Sequence, residues 1–297
     1  MKRILTAIGL AVLLASGSTA LAQRSRDAGE LQRKINAHYS AANWYERHGQ
    51  WNAAADEYTK AIGLNPRLAE AYKRRGIALD ALGKTNYAIG DMNYAIELRP
   101  NDVMAYNMRA DLHAKQGDMD AVIGDYTAII GINPKDGDVY LKRAAVLESR
   151  GSLDAAITDL GSYIGLNPKN PVIYMRRAIL RYLNNDAIGA TSDSNQAILL
   201  DPKSSSALVG QGLLALIQKK TSDTIAAWQK ALAMDASWKT YLDPVLKKAQ
   251  LTLVIPTAPS PAPTGTHTPS STGTQTPAAS GTQTAPAPIP QNTGTKS

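Results

Sequence analysis

AEAYKRRGIALDALGKTNYAIGDMNYAIELRPND, residues 69–102, is followed at once by VMAYNMRADLHAKQGDMDAVIGDYTAIIGINPKD, residues 103–136. Laid over one another, the two share tyrosine at the fourth place (Tyr72, Tyr106) and arginine at the seventh (Arg75, Arg109). Both carry a small residue at the eighth (Gly76, Ala110), glycine at the fifteenth (Gly83, Gly117) and proline at the thirty-second (Pro100, Pro134). The same frame runs outward in both directions, with copies starting at Ile35, Ala69, Val103, Gly137, Pro171 and Ser205 and ending at Trp238. Pro66, Pro100, Pro134, Pro168 and Pro202 stand 34 residues apart. A fixed period of that length means a stack of similar small units, not one globule.

Each unit reads as two helices. Positions four, eight and eleven fall on one helical face and are apolar or small in most copies. Gly49, Gly83, Gly117 and Gly151 then stop the first helix where a left-handed residue is wanted, and Asn185 takes that place in the fifth copy. In the second helix, position 20 (Ala54, Ala88, Ala156, Ala190) and position 27 (Ala61, Ala95, Ala197, Ala231) are small, so backbones can approach closely. Larger residues at position 24 (Tyr58, Met92, Tyr126, Leu160, Trp228) fill the space beside them. Some positions depart from the pattern: Val122, Ile129 and Tyr163 replace small residues, Ser194 a large one and Ala236 a proline. Wider helix spacing is expected around Ile129 and Tyr163. The fold class expected is all-α, a solenoid of antiparallel hairpins.

This combination, an aromatic at four, small residues at eight, 20 and 27 and proline at 32, resembles the tetratricopeptide repeat family over residues 35–238. The resemblance implies a right-handed superhelix whose concave groove is lined by the first helix of each hairpin. It also implies a binding role, with positions two, five, six, nine and 12 facing the groove. Those positions give Tyr39, Asn43 and Glu46, then Lys73, Arg74, Ile77 and Asp80. Met104, Asn107, Met108 and Asp111 follow, then Leu141, Lys142 and Glu148, and finally Met175, Arg176 and Ile179. Apolar, acidic and basic groups with adaptable methionines suit an extended peptide or a partner helix. Family members that grip a C-terminal carboxylate set Lys and Asn at five and nine, then Asn at six of the next repeat. Only Asn43 fits that scheme, so chaperone tails are not the expected ligand.

A charge pattern runs beside the groove. Arg75, Arg109, Arg143 and Arg177 occupy position seven, and Asp91, Asp125, Asp159 and Asp193 occupy position 23 of the same copies. The last copy, with Gln211 and Ala227, has neither charge. Structural pairing of arginine with aspartate is the expectation, since the guanidinium fork matches a carboxylate. The partner acid lies either within the repeat or in the preceding one; the second register would join Glu57 to Arg75.

The two ends differ from the array. Lys2 and Arg3, an apolar run from Ile4 to Leu14, and Ala20-Leu21-Ala22 read as an export signal over residues 1–22, with a lead-in at 23–34. Removing that leader with Lys2 and Arg3 lowers the formal charge from +7 to +5. An exported, periplasmic or secreted chain with no transmembrane span after cleavage is therefore expected. Residues 239–255 form an expected capping helix, with Trp238, Tyr241, Leu242, Val245 and Leu246 inward, Lys239, Lys247 and Lys248 outward, and Pro244 as a kink or helix start. Residues 256–297, dominated by Pro, Thr, Ser, Gly and Ala, lack anything to bury and are expected to be a disordered spacer or tether.

Several functions are excluded on pattern. Bases alternate with acids along the repeats, without the stripe that nucleic acid requires. No cysteine is present, and His38, His48, His113 and His267 share no metal-binding spacing. No phosphate-cradling glycine loop and no G-x-S-x-G frame occur. A non-catalytic protein-binding scaffold without cofactor, probed by a protein or peptide partner, is the expected function. The alternative is a structural, self-associating or glycan-associated envelope component.

Overall fold

The computed structural model describes the backbone of residues 2–253 and the side chains from residue 23 onward. The expected spacer at 256–297 lies outside the described residues, as do the side chains of the expected leader. Two compact units divide the chain at Pro168. The first contains α1 (Lys2–Arg47), α2 (Trp51–Leu64), α3 (Ala69–Ala81), α4 (Thr85–Leu98), α5 (Val103–Gln116), α6 (Met119–Ile132), α7 (Gly137–Ser149) and α8 (Leu153–Leu166). The second contains α9 (Pro171–Leu183), α10 (Ala187–Leu200), α11 (Ser205–Ile217) and α12 (Thr221–Met234). A 3-10 turn (Ala236–Trp238) and α13 (Lys239–Ala249) complete it. No strand occurs among the described residues. The lead-in at 23–34 is not a separate element: α1 runs through it unbroken into the first repeat.

Both kinds of helix end have a local cause. Gly49, Gly83, Gly117 and Gly151 adopt φ between 68° and 77°, which turns the chain back from the first helix of each hairpin. Asn185 (φ 65°) does the same in the fifth repeat, and Lys219 (φ 61°) in the sixth, where no glycine or asparagine is available. The second helices of the first five hairpins end where a proline follows. Asn65, Arg99, Asn133, Asn167 and Asp201 each leave the helical region, with ψ between 71° and 99°, as the ring of the next residue demands. Restarts are capped by side chains: Asp102 accepts from the Ala105 amide and Ser204 from that of Ala207, both at 3.1 Å.

Between the paired helices the small and large positions interlock. Ala54, Ala88, Ala156 and Ala190 are wholly buried, as are Tyr58, Met92, Leu160 and Trp228. Tyr163, too large for its position, is taken up by Gly137. A Cβ on that glycine would stand 3.1 Å from the tyrosine ring, so the missing side chain supplies the room.

The second unit has a different finish from the first. Trp238, Leu242 and Val245 join Met175, Ile179 and Leu213 in one buried cluster, so α13 lies on α9 instead of merely closing the last hairpin. The helix begins at Lys239, runs through Pro244 and leaves that ring exposed. Lys248 is exposed, as expected, and also makes specific contacts. Its ammonium donates to the carbonyls of Tyr182 (2.6 Å) and Leu183 (2.9 Å) and to Asn185 Oδ1 (2.9 Å). The last carbonyls of α9 have no helical partners, and a cation there also meets the negative end of the helix dipole. Lys248→Met is expected to cost about 1–2 kcal/mol, measured as a lower urea midpoint for the intact chain.

Candidate functional site

Within the first unit, the first helices of successive hairpins lie side by side and are stitched together by polar contacts. Arg74 of α3 reaches Glu46 of α1 (3.3 Å), Lys115 of α5 reaches Asp80 of α3 (2.6 Å), and Lys142 of α7 reaches Asn107 of α5 (3.3 Å). These bonds define a continuous face formed by α1, α3, α5 and α7.

Not every residue expected on that face is available. Lys73 is buried (6% exposed), held by Glu70 at 2.7 Å and Asp102 at 2.8 Å. Burial alone would lower its pKa, but the bonds to Asp102 and Glu70 prevail and hold it above the ordinary lysine value. Leu141 is also buried (6%). Asn43 and Glu46 are engaged by Tyr58, whose hydroxyl donates to Glu46 Oε2 (2.7 Å) and lies 2.8 Å from Asn43 Oδ1. The Tyr39 hydroxyl is buried with no hydrogen-bond partner among the described residues. Burial, with the Glu70 charge second, pushes its pKa up to about 12.

What stays open is concentrated on α3, α5 and α7. Met104 is 61% exposed, Ile77 and Met108 are half-buried, and Asp111 and Lys142 are exposed. Met108 also packs against the core of Ala88, Met92 and Leu112. Asp111 makes no hydrogen bond or ion pair among the described residues. Protein surrounding the carboxyl desolvates it and raises its pKa above the usual carboxylate value, against the pull of Lys142 and Lys115. An open acid, exposed apolar side chains and a neighbouring base form a contact surface, not a catalytic constellation.

The arginine–aspartate pattern resolves into one register, within the repeat. Arg75 meets Asp91 (2.6 Å), Arg109 meets Asp125 (2.5 Å) and Arg143 meets Asp159 (2.7 Å), each with the carboxylate almost fully buried. Each arginine also donates across to the preceding repeat, at Thr59 (3.1 Å), Asn93 (2.7 Å) and Thr127 (2.8 Å) respectively. One guanidinium thus ties three helices together. The rings of Tyr72 and Tyr106 lie about its cationic carbon at 5.5 Å from Arg75 and 5.4 Å from Arg109. The first repeat substitutes another pair: with Ala41 at position seven, Glu57 takes His38 Nδ1 at 2.6 Å and Lys60 instead of Arg75. The position-25 acceptors went unnoticed in the sequence, although Thr59, Asn93 and Thr127 recur there at the repeat period.

A family model described as tetratricopeptide repeat matches residues 39–103, 74–136 and 108–171. Over residues 39–171 the chain is built of tetratricopeptide repeats. Among solved structures, MamA is 19% identical over 58% of this chain and 94% of its own, with a TM-score of 0.48. YrrB, a TPR protein with an unusual peptide-binding site, is 17% identical over 62% and 95%, with a TM-score of 0.47. Pseudomonas aeruginosa pilF is 13% identical over 74% and 99%, at 0.46. No curated protein matches the chain.

In the second unit, the groove positions are already occupied. Met175 (0% exposed), Arg176 (4%) and Ile179 (1%) lie under α13 and its neighbours, with the Arg176 guanidinium 5.8 Å from the Tyr241 ring centre. The expectation that Met175 and Arg176 meet a partner is therefore corrected, because the chain's own helix covers them. The ladder continues there, Arg177 donating to both Asp193 oxygens at 2.7 and 2.8 Å. Arg181, which repeat spacing did not flag, reaches the same carboxylate at 2.9 Å. Among the described residues no group of acids and histidines is placed to hold a metal ion, and no helix is long and apolar enough to cross a membrane.

Proposed function

We propose that this tetratricopeptide protein is a non-catalytic scaffold that holds a segment of another protein against α3, α5 and α7, and that it works outside the cytoplasm. The observation that carries this reading is the contrast between its two first-helix faces. The face in the second unit is filled by α13, whereas in the first unit Met104 and Asp111 are left without occupants of their own chain. The open Asp111 carboxylate, on the same helix as the exposed Met104, suits a segment that carries a lysine or arginine together with an apolar side chain. The leader-like residues 1–22 support work in the cell envelope or beyond it. The basic charge remaining without them supports no nucleic-acid ligand, given its dispersal among acids.

Met104→Glu is the cleaner probe of this face, because Met108 also supports the core. A charge at position 104 would be desolvated by a bound segment. Loss of capture from envelope extract by at least about tenfold is expected, with an unchanged melting curve; full capture by Met104→Glu and Asp111→Lys together would remove this face from consideration. The self-associating reading draws on Ile188 (87% exposed) and Leu199 (74%) on α10. Light scattering from residues 23–255 separates the two: a monomer supports the scaffold, and a stable oligomer supports self-association.

A further inference from the structure

Successive clefts between hairpins in the first unit are copies of one another, so a cleft that departs from its copies can be recognised by direct comparison. Position 21 of the second helix faces this cleft and holds Ile89, Ile123 and Ile157 in the second to fourth repeats, but Ala55 in the first. Position 19 is Ala53, Ala121 and Ala155, then Gly189 and Asp223, but Tyr87 in the second repeat. The later clefts are also bridged at their rim. Gln116 donates to Asn86 (2.5 Å) and Arg150 to Asp120 (3.1 Å). The equivalent places at the first cleft are Leu82 and Asn52, which cannot form that bridge with each other.

Three independent replacements therefore act in one direction at one place. A smaller floor, a missing bridge and an added ring leave a pocket of about 300 Å³ between α2, α3 and α4, lined by Asn52, Ala55, Asp56, Thr59, Lys84 and Tyr87. That volume lies at the lower end of small-molecule pockets and fits one ring with its substituents. Tyr87 forms a wall that is 71% exposed, so most of its ring is open to a ligand.

We propose that this cleft binds a neutral sugar ring of a glycan, with Tyr87 as the stacking platform. The negative face of an aromatic ring attracts the polarised C–H groups of a pyranose. The charges argue for a neutral ligand. Arg75, at the back of the pocket, is consumed by Asp91 and Thr59. Asp56 and Lys84, opposite in sign, leave the rim without net charge. The Asn52 amide and the Asp56 carboxylate offer a donor and acceptors of the kind that vicinal hydroxyls pair with. This pocket lies on the second-helix side, apart from Met104 and Asp111, so it is a site additional to the protein-binding face.

The test titrates the full chain with cellotetraose, chitotetraose and maltotetraose by calorimetry and by NMR. Saturable binding of at least one, with movement of the Asn52 side-chain amide signal, is expected. Tyr87→Ala and Ala55→Ile, each installing what the array already carries at the equivalent positions, are expected to weaken it by at least about tenfold. Tyr87→Phe is expected to keep it, since the ring and not the hydroxyl is the platform. Melting temperatures of all three variants, unchanged within about 2 °C, separate loss of the site from loss of the fold. The proposal is overturned if none of the three sugars binds, if binding survives both Tyr87→Ala and Ala55→Ile, or if arginine ethyl ester takes the cleft in preference to them. Capture of a protein by the Met104 face is unaffected by any of these outcomes.

Discussion

Arg143→Ala is expected to lower the unfolding free energy by about 3 kcal/mol. Asp159, only 2% exposed, would lose both guanidinium bonds at 2.7 and 2.8 Å in a place water hardly reaches. The arginine itself is 19% exposed at its side chain, which moderates the effect relative to a fully buried pair. Removing both partners is less damaging than removing one, because no orphaned charge remains. Arg143→Ala with Asp159→Ala is accordingly expected to cost clearly less than the sum of the two single changes, read from urea midpoints in a double-mutant cycle. Protein capture is expected to be unaffected. Lost capture with an unmoved melting curve would instead mean that the arginine row is a binding surface.

The same substitution at two equivalent glycines is expected to give opposite results. Gly76 and Gly212 both occupy position eight, where the other repeats carry Ala42, Ala110, Ala144 and Ala178. At Gly76 an added Cβ would meet the terminal methyl of Met92 at 2.3 Å, the far end of a flexible chain that can turn aside. At Gly212 it would meet the Trp228 ring, also at 2.3 Å. That ring is fully buried and fixed by its Nε1–H bond to the Val209 carbonyl (3.0 Å). Gly212→Ala is expected to cost about 2–3 kcal/mol from overpacking. Gly76→Ala is expected to be near neutral, since helix propensity returns up to about 1 kcal/mol. Thermal melts of the two variants beside the parent chain decide the matter; equal losses would contradict this account of the packing.

Most of the architecture was legible because the repeat supplies its own internal comparison. Proline at 34-residue intervals marks the end of the second helix in the first five hairpins, and glycine at fifteen the end of the first helix in the first four, so most hairpin boundaries follow from local stereochemistry. The ladder residues were legible as a pair, but their register was not. Positions seven and 23 are close in either arrangement along the chain, and only the packing of the helices separates them. Groove residues were the least legible. A lysine at position five looks solvent-facing until Asp102 and Glu70 are seen to enclose it, as for Lys73. Met175 was misplaced for another reason: the helix that covers it lies far along the sequence and outside the repeat frame. Tyr87 and Ala55 carried a signal of another kind, as exceptions to their own columns.

The position of α13 completes the core of the second unit. A chain cut back to Met234, at the close of the sixth hairpin, would strip the cover from Met175, Ile179 and Leu213 and leave Arg176 without the Tyr241 ring. Such a truncation exposes an apolar stripe, prone to pair with whatever amphipathic helix it next encounters. For recombinant work, a polypeptide that keeps this core covered must therefore retain α13 and the Leu253 that packs beside it.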